Sequence, residues 1–281
     1  LSFSQIETPE STLAATRDWV RVFCETTLPP FQQRPIPLDR PLRLGVISAE
    51  LGSHAVAYFL RSYLAHHDPA CTRVHLYSTV ERTEPQHAEV LALAEAHTSL
   101  VGLDDASARE LILADEIDIL IDTTSHMRGN RLPLLAQRCA PVQCHWIGFH
   151  GSTGVPAIDW FIGDDEVTPP AQAHHFSEGI WRLPRLWVCY QPPEGAPAPA
   201  PRPIDGQIRF GSFNNLLKVG PASVELFARV LQAVPNSVLV LKDVRCADAF
   251  MRGRIERQLQ EAGIAAERLQ LVERVADWNA H

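Results

Sequence analysis

The sequence predicts an α/β fold in which helices cover a mainly parallel sheet. Short apolar runs of strand length alternate with segments of helical spacing along most of the chain, which is typical of parallel sheets. A proline-rich stretch interrupts this pattern once, and the pattern then resumes. Because 281 residues also exceed the usual size of one domain, we expect two compact α/β units.

The first unit is predicted over residues 41–191, after a helical and proline-rich segment at residues 1–40. Residues 42–48 are an apolar run that predicts a buried strand, and residues 54–67 carry apolar side chains at helical spacing. The other predicted elements are a helix within residues 11–27, strands at 74–78, 99–102, 117–121, 141–149 and 159–163, and helices at 85–97 and 107–114.

A linker and a second unit follow. Residues 192–205 contain six prolines and almost no large apolar side chain, which predicts a stiff, extended linker. In the second unit, residues 206–281, the predicted elements are strands at 208–213, 238–242 and 269–272 and helices at 221–234 and 247–262. These make only half of a doubly wound domain, which alone would expose a sheet edge and an apolar face. We therefore expect the second domain to be incomplete in this chain.

Composition argues against several classes of protein. The formal net charge of −8, with no basic run, argues against a nucleic-acid-binding surface. The six cysteines form no CxxC pair, so we predict neither a zinc site nor a redox motif, and free thiols fit a reducing compartment. No apolar run is long enough to span a bilayer. We expect a cytoplasmic protein with no membrane partner.

Three loops of the first unit have the composition of a polar ligand site. They follow predicted strands at residues 49–54, 123–131 and 150–154, and each contains glycine, a hydroxyl side chain and a histidine. Glycine lets the backbone approach a ligand closely, and histidine titrates near neutral pH. Since the carboxyl ends of parallel strands share one edge of a sheet, we expect these loops to line a cleft between the two units.

Two of these histidines have alternative interpretations. His54 can act in the site, or it can cap the helix that begins beside it. His126 can act in the site, or it can only brace its Arg- and Asn-rich loop by hydrogen bonds.

Residues 210–221 predict an anion site in the second unit. A strand leads into a polar loop with Asn214, Asn215 and Lys218, and a helix then begins at Pro221. Helix N–H groups at the carboxyl end of a strand favour phosphate, and a lysine adds a positive charge. The alternative is that Lys218 is a solvated loop lysine. The chain lacks GxxxxGK[ST], GxGxxG and GxSxG motifs, which disfavours P-loop enzymes and dinucleotide dehydrogenases.

Four segments in this order resemble the O-linked N-acetylglucosamine transferase family, and more narrowly its bacterial homologues. They are residues 42–54, 117–131, 140–154 and 211–221. The resemblance implies a GT-B architecture of two Rossmann-like domains, usually preceded by tetratricopeptide repeats. It also implies inverting transfer of N-acetylglucosamine from UDP-GlcNAc to serine or threonine hydroxyls of an acceptor protein or peptide, without a metal or other cofactor.

The resemblance also assigns roles to residues of this chain. His54 matches the proposed general base, Glu50 matches an acidic residue four positions earlier that is aspartate in many relatives, and Lys218 matches the lysine that holds the diphosphate. Further substrate contacts are implied for residues of three loops: His126, Gly151, Ser152, Thr153, Gly154, Asn214 and Asn215. No residue is assigned to a metal.

These residue types suit the implied reaction. Departure of UDP develops negative charge on the diphosphate, which a lysine and helix N–H groups can hold in place of a metal ion. A histidine can take the proton of the attacking hydroxyl. No carboxylate pair is evident in the loops, so two-carboxylate glycoside hydrolysis is not expected.

Two other functions stay open at this stage. The same fold can bind a sugar nucleotide or a partner peptide without turnover, and an intact Gly/His-Thr-Thr segment further along the second domain would favour an enzyme instead. Another GT-B enzyme, such as a UDP-sugar epimerase, would need different loop motifs.

Overall fold

The computed structural model describes residues 7–25, 27–192, 198 and 206–275. These residues form two compact units, one made by Glu7–Gln191 and the other by the described residues from Pro192 onward. Of the predicted linker, residues 192–205, only two positions lie within the described residues. Each unit is an α/β structure, as the sequence predicts.

The described part of the first unit contains seven strands and five α-helices. The strands are β1 (Leu42–Ser48), β2 (Thr72–Ser78), β3 (Ala96–Ser99), β4 (Ile119–Asp122), β5 (Val142–His145), β6 (Trp160–Gly163) and β7 (Gly179–Arg182). The helices are α1 (Pro9–Phe23), α2 (Ala55–His66), α3 (Pro85–Leu91), α4 (Asp105–Ala114) and α5 (Leu132–Ala136), with a 3-10 helix at Pro170–His175.

All seven strands pair in parallel, in the order β3-β2-β1-β4-β5-β6-β7. Successive residues of β1 point to opposite faces, and Val46 and Ile47 accordingly belong to two different buried apolar clusters. The same holds for Leu120 and Ile121 of β4. Both faces of the sheet are therefore covered, which explains why these strands are nearly continuous apolar runs.

The predicted bounds around β3 are wrong. The sequence predicts a helix to residue 97 and a strand from residue 99, but α3 ends at Leu91 and β3 spans Ala96–Ser99. The alanine-rich end of the predicted helix has apolar residues at helical spacing, but pairing with β2 makes residues 96–99 a strand. His75 of β2 contacts the Thr98 hydroxyl at 2.8 Å, and the Ser78 hydroxyl contacts His97 at 3.0 Å.

The predicted strand at residues 141–149 is also too long, because β5 ends at His145. Ile147 has a φ of 74°, which no strand residue adopts. At Gly148 a Cβ atom would stand 1.8 Å from the carbonyl oxygen of Thr123, so only glycine fits where the chain turns. The sequence prediction also omits β7 and α5.

The described part of the second unit is smaller. Its strands β8 (Ile208–Ser212), β9 (Ser237–Lys242) and β10 (Leu269–Val272) pair in parallel in the order β10-β9-β8. Helices α6 (Pro221–Ala233) and α7 (Ala249–Glu261) pack on this sheet, together with short 3-10 helices at Leu216–Lys218, Val244–Ala247 and Ala266–Arg268. No helix among the described residues is long and apolar enough to cross a membrane.

Candidate functional site

The strand order of the first unit reverses at β1 and β4, which pair in parallel, so their carboxyl ends lie side by side. The chain leaves β1 in one direction, towards β2 and β3, and later returns to the other side of β1 with β4. In open parallel sheets such a reversal point is where ligands bind. Two predicted loops, residues 49–54 and 123–131, meet there, and the amide of Ala49 donates to the Thr124 hydroxyl at 2.9 Å.

His54 ends the loop that follows β1 and is the N-cap residue of α2. Its backbone is extended, with φ −144° and ψ 154°, and its Nδ1 accepts the amide N–H of Val56 at 3.3 Å. The same Nδ1 is 3.7 Å from Oε2 of Glu50. The capping interpretation is therefore realised, and the side chain, 39% exposed, also remains accessible to a ligand.

These two contacts of His54 require different tautomers. While Nδ1 accepts the Val56 amide, the proton of the neutral ring is on Nε2, so Nε2 is a donor and not a base. If Nδ1 instead carries the proton and donates a hydrogen bond to Glu50, Nε2 has a free lone pair that can accept the proton of a hydroxyl. The Glu50 carboxylate can thus select the tautomer that is competent as a base.

Arg82 holds Glu50 in position, and it was not predicted from the sequence. Its Nη2 donates to Glu50 Oε2 at 2.6 Å, and its Nε donates to the carbonyl oxygen of Ala49 at 2.8 Å. Its Nη1 donates to Glu84 at 2.9 Å, and this hydrogen bond holds the pKa of Glu84 down at about 2. One guanidinium thus joins the loops after β1 and β2 and fixes the carboxylate beside His54.

His126 braces the loop that follows β4. Its Nε2 donates to the carbonyl oxygen of Thr153 at 2.8 Å, and its ring packs edge-on against Trp19 of α1. Burial lowers the pKa of His126, which keeps the ring neutral. Of the two interpretations of His126, the contacts in the structure fit the one in which it braces its loop by a hydrogen bond.

The buried side chain of Glu178, which sequence analysis did not identify, holds the turn at residues 151–154 by hydrogen bonds. The buried Glu178 carboxylate accepts hydrogen bonds from the hydroxyls of Ser152 and Thr153 and from the Thr153 amide. Since both hydroxyls are buried and point at Glu178, we expect the turn to meet a ligand through its backbone.

A buried ion pair between β4 and β5 supports the loops that follow these two strands. His145 Nδ1 donates to Asp122 Oδ2 at 2.9 Å, and its Nε2 donates to the carbonyl oxygen of Phe149 at 2.8 Å. Both partners only accept, so the two contacts together require the doubly protonated ring. Burial alone would lower the pKa of His145, but the hydrogen bond and charge of Asp122 outweigh burial and raise it.

Helix α1 lies directly against the 151–154 turn. Gly154 has a φ of 74°, and a Cβ atom there would stand 3.1 Å from the Thr16 carbonyl carbon. Val20 belongs to one buried cluster of the sheet, and Trp19 packs against that cluster. Helix α1 is therefore part of the first unit's packed structure.

In the second unit, the predicted anion-site residues follow β8. Asn215 caps the 3-10 helix Leu216–Lys218, because its Oδ1 accepts the amide of Leu217 at 2.9 Å. The same oxygen accepts a hydrogen bond from Arg245 at 3.1 Å, and Arg245 also donates to Asp243. Arg245 was not predicted, because it follows β9 in the sequence and reaches Asn215 only through the pairing of β8 with β9.

Lys218 is exposed and ends this 3-10 helix, three positions before α6 begins at Pro221. The N-cap of α6 is Gly220, which has no side chain to satisfy the first amides of the helix. Asn214, in the same loop after β8, is also exposed. A cation next to uncapped helix amides is the arrangement that binds a phosphate group.

The structure thus gathers the predicted residues into two groups. The first unit holds Glu50 with His54, and His126 with the 151–154 turn. The second unit holds Asn214, Asn215 and Lys218.

Sequence comparisons connect the chain with known proteins. The profile described as Glycosyl transferase family 41 matches residues 18–189. A protein named "Probable UDP-N-acetylglucosamine--peptide N-acetylglucosaminyltransferase SPINDLY" from Solanum lycopersicum is 35% identical over 274 residues, which cover 94% of this chain. A protein of the same name from Oryza sativa subsp. japonica is 36% identical over 267 residues, 92% of this chain. The chain spans only 29% of the length of each of these two curated relatives.

Solved structures show the same relationship. The structure of a Thermobaculum terrenum O-GlcNAc transferase mutant matches with a TM-score of 0.92 and 33% identity, covering 99% of this chain and 53% of that one. The apo form of the lipopolysaccharide outer core galactosyltransferase WaaB matches with a TM-score of 0.51 and 11% identity, over 84% of this chain and 69% of that one. The latter likeness concerns the fold alone.

Proposed function

Because the chain belongs to glycosyl transferase family 41, we propose that it is part of an enzyme that transfers N-acetylglucosamine from UDP-GlcNAc to serine or threonine hydroxyls of proteins. The family assignment confirms the resemblance found in the four sequence segments. The names of the curated relatives and of the T. terrenum structure support this choice of donor and of a peptide acceptor.

One structural observation carries the proposal within the chain itself. Lys218 lies beside the uncapped N-terminus of α6, at the carboxyl end of a parallel strand. In the proposed reaction this cation and the helix amides hold the diphosphate as negative charge develops on it, which gives the electrostatic stabilisation that other transferases obtain from a metal ion. We therefore propose that transfer needs no metal.

The proposed proton acceptor is His54. The acceptor hydroxyl approaches the anomeric carbon and transfers its proton to Nε2 of His54, while Nδ1 donates to Glu50. The oxygen–carbon bond forms as the bond to UDP breaks, and the electron pair of that bond leaves with the diphosphate. Glu50 is engaged by Arg82, so it is not placed as a sugar nucleophile, and direct displacement with inversion is the consistent pathway.

The test is a transfer assay with the full-length protein in the presence of a chelator. A peptide library is incubated with UDP-GlcNAc, UDP-GalNAc, UDP-glucose or GDP-fucose, and products are detected by mass spectrometry. We expect one N-acetylhexosamine on serine or threonine with UDP-GlcNAc, and a β-linkage by NMR. Donor binding without transfer would instead favour the non-catalytic binding module, and transfer only from another donor would overturn the donor assignment.

A further inference from the structure

A cluster of potential metal ligands joins two elements of the first unit, away from the proposed reaction residues. Glu10 lies in the first turn of α1, and His174 and His175 end the 3-10 helix Pro170–His175. One ligand atom from each of the three side chains can be chosen so that all lie within 4.8 Å of one another. Neither element brings these ligands together alone, so the cluster depends on how α1 packs.

The side chain of His175 has a buried nitrogen that a bound metal ion could satisfy. Its Nδ1 is buried and has no hydrogen-bond partner among the described residues, although Glu10 Oε1 is only 3.5 Å away. A buried polar atom without a hydrogen-bond partner destabilises the folded protein. The His174 ring is 3.9 Å from the His175 ring between centroids, so the second imidazole is directly adjacent.

We propose that Glu10, His174 and His175 bind a divalent transition-metal ion of the Zn²⁺ type. Two imidazole nitrogens and one carboxylate oxygen suit Zn²⁺, Ni²⁺ or Cu²⁺, whereas Mg²⁺ and Ca²⁺ prefer oxygen ligands only. Tetrahedral Zn²⁺ needs ligand atoms about 3.4 Å apart, a spacing that rotation of the exposed Glu10 and His174 side chains can provide. The fourth position is left to water.

The ion would act as a structural clip. Glu178 lies three positions after His175 and holds the 151–154 turn. Helix α1 contacts the same turn at Gly154. A metal bridge between α1 and His175 therefore fastens the helix to the loop that lies next to His126. The proposed transfer chemistry does not involve this ion.

The test measures Zn²⁺ affinity of the full-length protein by competition with a chromophoric chelator, after all metal has been removed. The variants are Glu10→Gln and His174→Gln/His175→Gln. The matched control is His66→Gln/His67→Gln, another adjacent pair, in which each Nδ1 already contacts a backbone carbonyl oxygen at 2.9 Å or less. We expect a loss of affinity of about tenfold or more in both cluster variants and none in the control.

Two further measurements distinguish a structural metal site from nonspecific metal binding at the surface. Zn²⁺ should raise the melting temperature of the wild-type protein and of the control but not of the His174→Gln/His175→Gln variant. Co²⁺ bound at the cluster should show no thiolate charge-transfer band, since no cysteine belongs to it. Unchanged Zn²⁺ affinity in both cluster variants, or an equal loss in the control, would overturn the proposal.

A second inference starts from the use of lysine. Among the 25 basic residues of the chain only Lys218 and Lys242 are lysines, and all the others are arginines. Both lysines lie at the carboxyl edge of the same three-stranded sheet. Arginine and lysine differ at sites where a compact, point-like ammonium group is needed. The two lysines of this chain therefore both offer a compact ammonium group at one edge of the sheet.

The structure places Lys242 beside the predicted anion site. It is the last residue of β9, and its neighbour Leu241 pairs with Ser212, the last residue of β8. Its Nζ is 5.7 Å from the ring centroid of Phe213, the first residue of the loop that leads to Lys218. Only 8% of Lys242 is exposed, which is unusual for a lysine.

We infer that Lys242 is a second donor-positioning residue that orients the diphosphate through its charge, an inference that rests on the proposed function. One lysine neutralises only part of a UDP leaving group, and without a metal ion a second cation at the same edge supplies the remainder. Phe213 restricts the position of the ammonium group by a cation–π contact.

The test compares UDP and uridine binding by calorimetry in the full-length protein. Lys242→Met should weaken UDP by about tenfold or more and leave uridine unchanged, and Lys242→Arg should restore UDP binding only in part. Arg257→Met, an exposed charge on α7, is the control for net charge. Unchanged UDP binding, or an equal loss for both ligands, would overturn the inference. Absence of UDP binding by the wild-type protein would instead overturn the proposed function beneath it.

Discussion

At the scale of single residues, His54 has two partners and therefore two chemical states. Its Nδ1 accepts the Val56 amide at 3.3 Å and stands 3.7 Å from Glu50. The first contact only caps α2, and the second prepares Nε2 to act as a base. A substitution that keeps the cap and removes the base can distinguish the two roles.

We predict that His54→Asn keeps the melting temperature of the wild type, since asparagine is a good N-cap residue, but lowers kcat by about 100-fold or more. His54→Ala should lose both the cap and the rate, with UDP binding retained in each case. The measurements are thermal unfolding, kcat and UDP titration. Wild-type turnover by His54→Asn would restrict His54 to capping, and loss of UDP binding would assign it to donor positioning.

The sequence could indicate His54 and Lys218 because each lies in a polar loop that follows a predicted strand, and the family resemblance indicated Glu50. Arg82 and Glu178 could not be found in this way. Each acts on a loop that lies far away in the sequence, and only the strand order brings the partners together. Polar side chains that hold a site from a neighbouring loop leave no local pattern.

At the scale of secondary structure, the order of the strands determines which loops meet. The bounds of β1 and α2, in which the apolar pattern extends over many residues, could be predicted from the sequence within a residue or two. The four-residue strand β7 could not, because its residues alternate only between exposed and half-buried positions at the edge of the sheet. The start of β3 depends on its pairing with β2, and periodicity does not register such pairing.

The ion pair of His145 on β5 with Asp122 on β4 links two of these strands, and its stability should depend on pH. Because the folded pKa of His145 is raised, its contribution is complete below the unfolded pKa of about 6.5 and is lost as pH rises through the folded pKa. We predict that His145→Gln lowers the free energy of unfolding by about 3–5 kcal/mol near pH 6 and by less near pH 9.

The measurement is chemical denaturation across this pH range. The double variant His145→Gln/Asp122→Asn should recover much of the lost stability, since it leaves no unpaired buried charge. A stability difference between the wild type and His145→Gln that stays constant with pH would contradict a protonated His145 in the fold.

At the scale of the whole molecule, the segment that contains helix α1, from Glu7 onward, belongs structurally to the first unit. The contact of α1 with Gly154 and the packing of Trp19 on His126 join this segment to loops of the candidate site. Each of the two units presents predicted site residues at the carboxyl edge of its sheet. The proposed function assigns the base to one unit and the diphosphate contact to the other.

We predict that Gly154→Ala destabilises the protein more than Gly102→Ala does. Both glycines have a φ near 75°, which costs an L-residue about 1–2 kcal/mol, but only Gly154 has backbone of α1 within 4 Å of the added Cβ atom. Hydrogen exchange should show faster opening of α1 in Gly154→Ala alone. Equal loss of stability in the two variants would contradict the close contact with α1.

The most direct test of the central claim is a calorimetric titration of UDP and UDP-GlcNAc into the full-length protein, in the presence of a chelator, with Lys218→Ala alongside. We predict micromolar binding of both ligands by the wild type, and a loss of affinity of about tenfold or more in Lys218→Ala, because a charge-assisted contact to the diphosphate is removed. No binding by the wild type, or equal binding by the variant, would contradict a sugar-nucleotide diphosphate at Lys218.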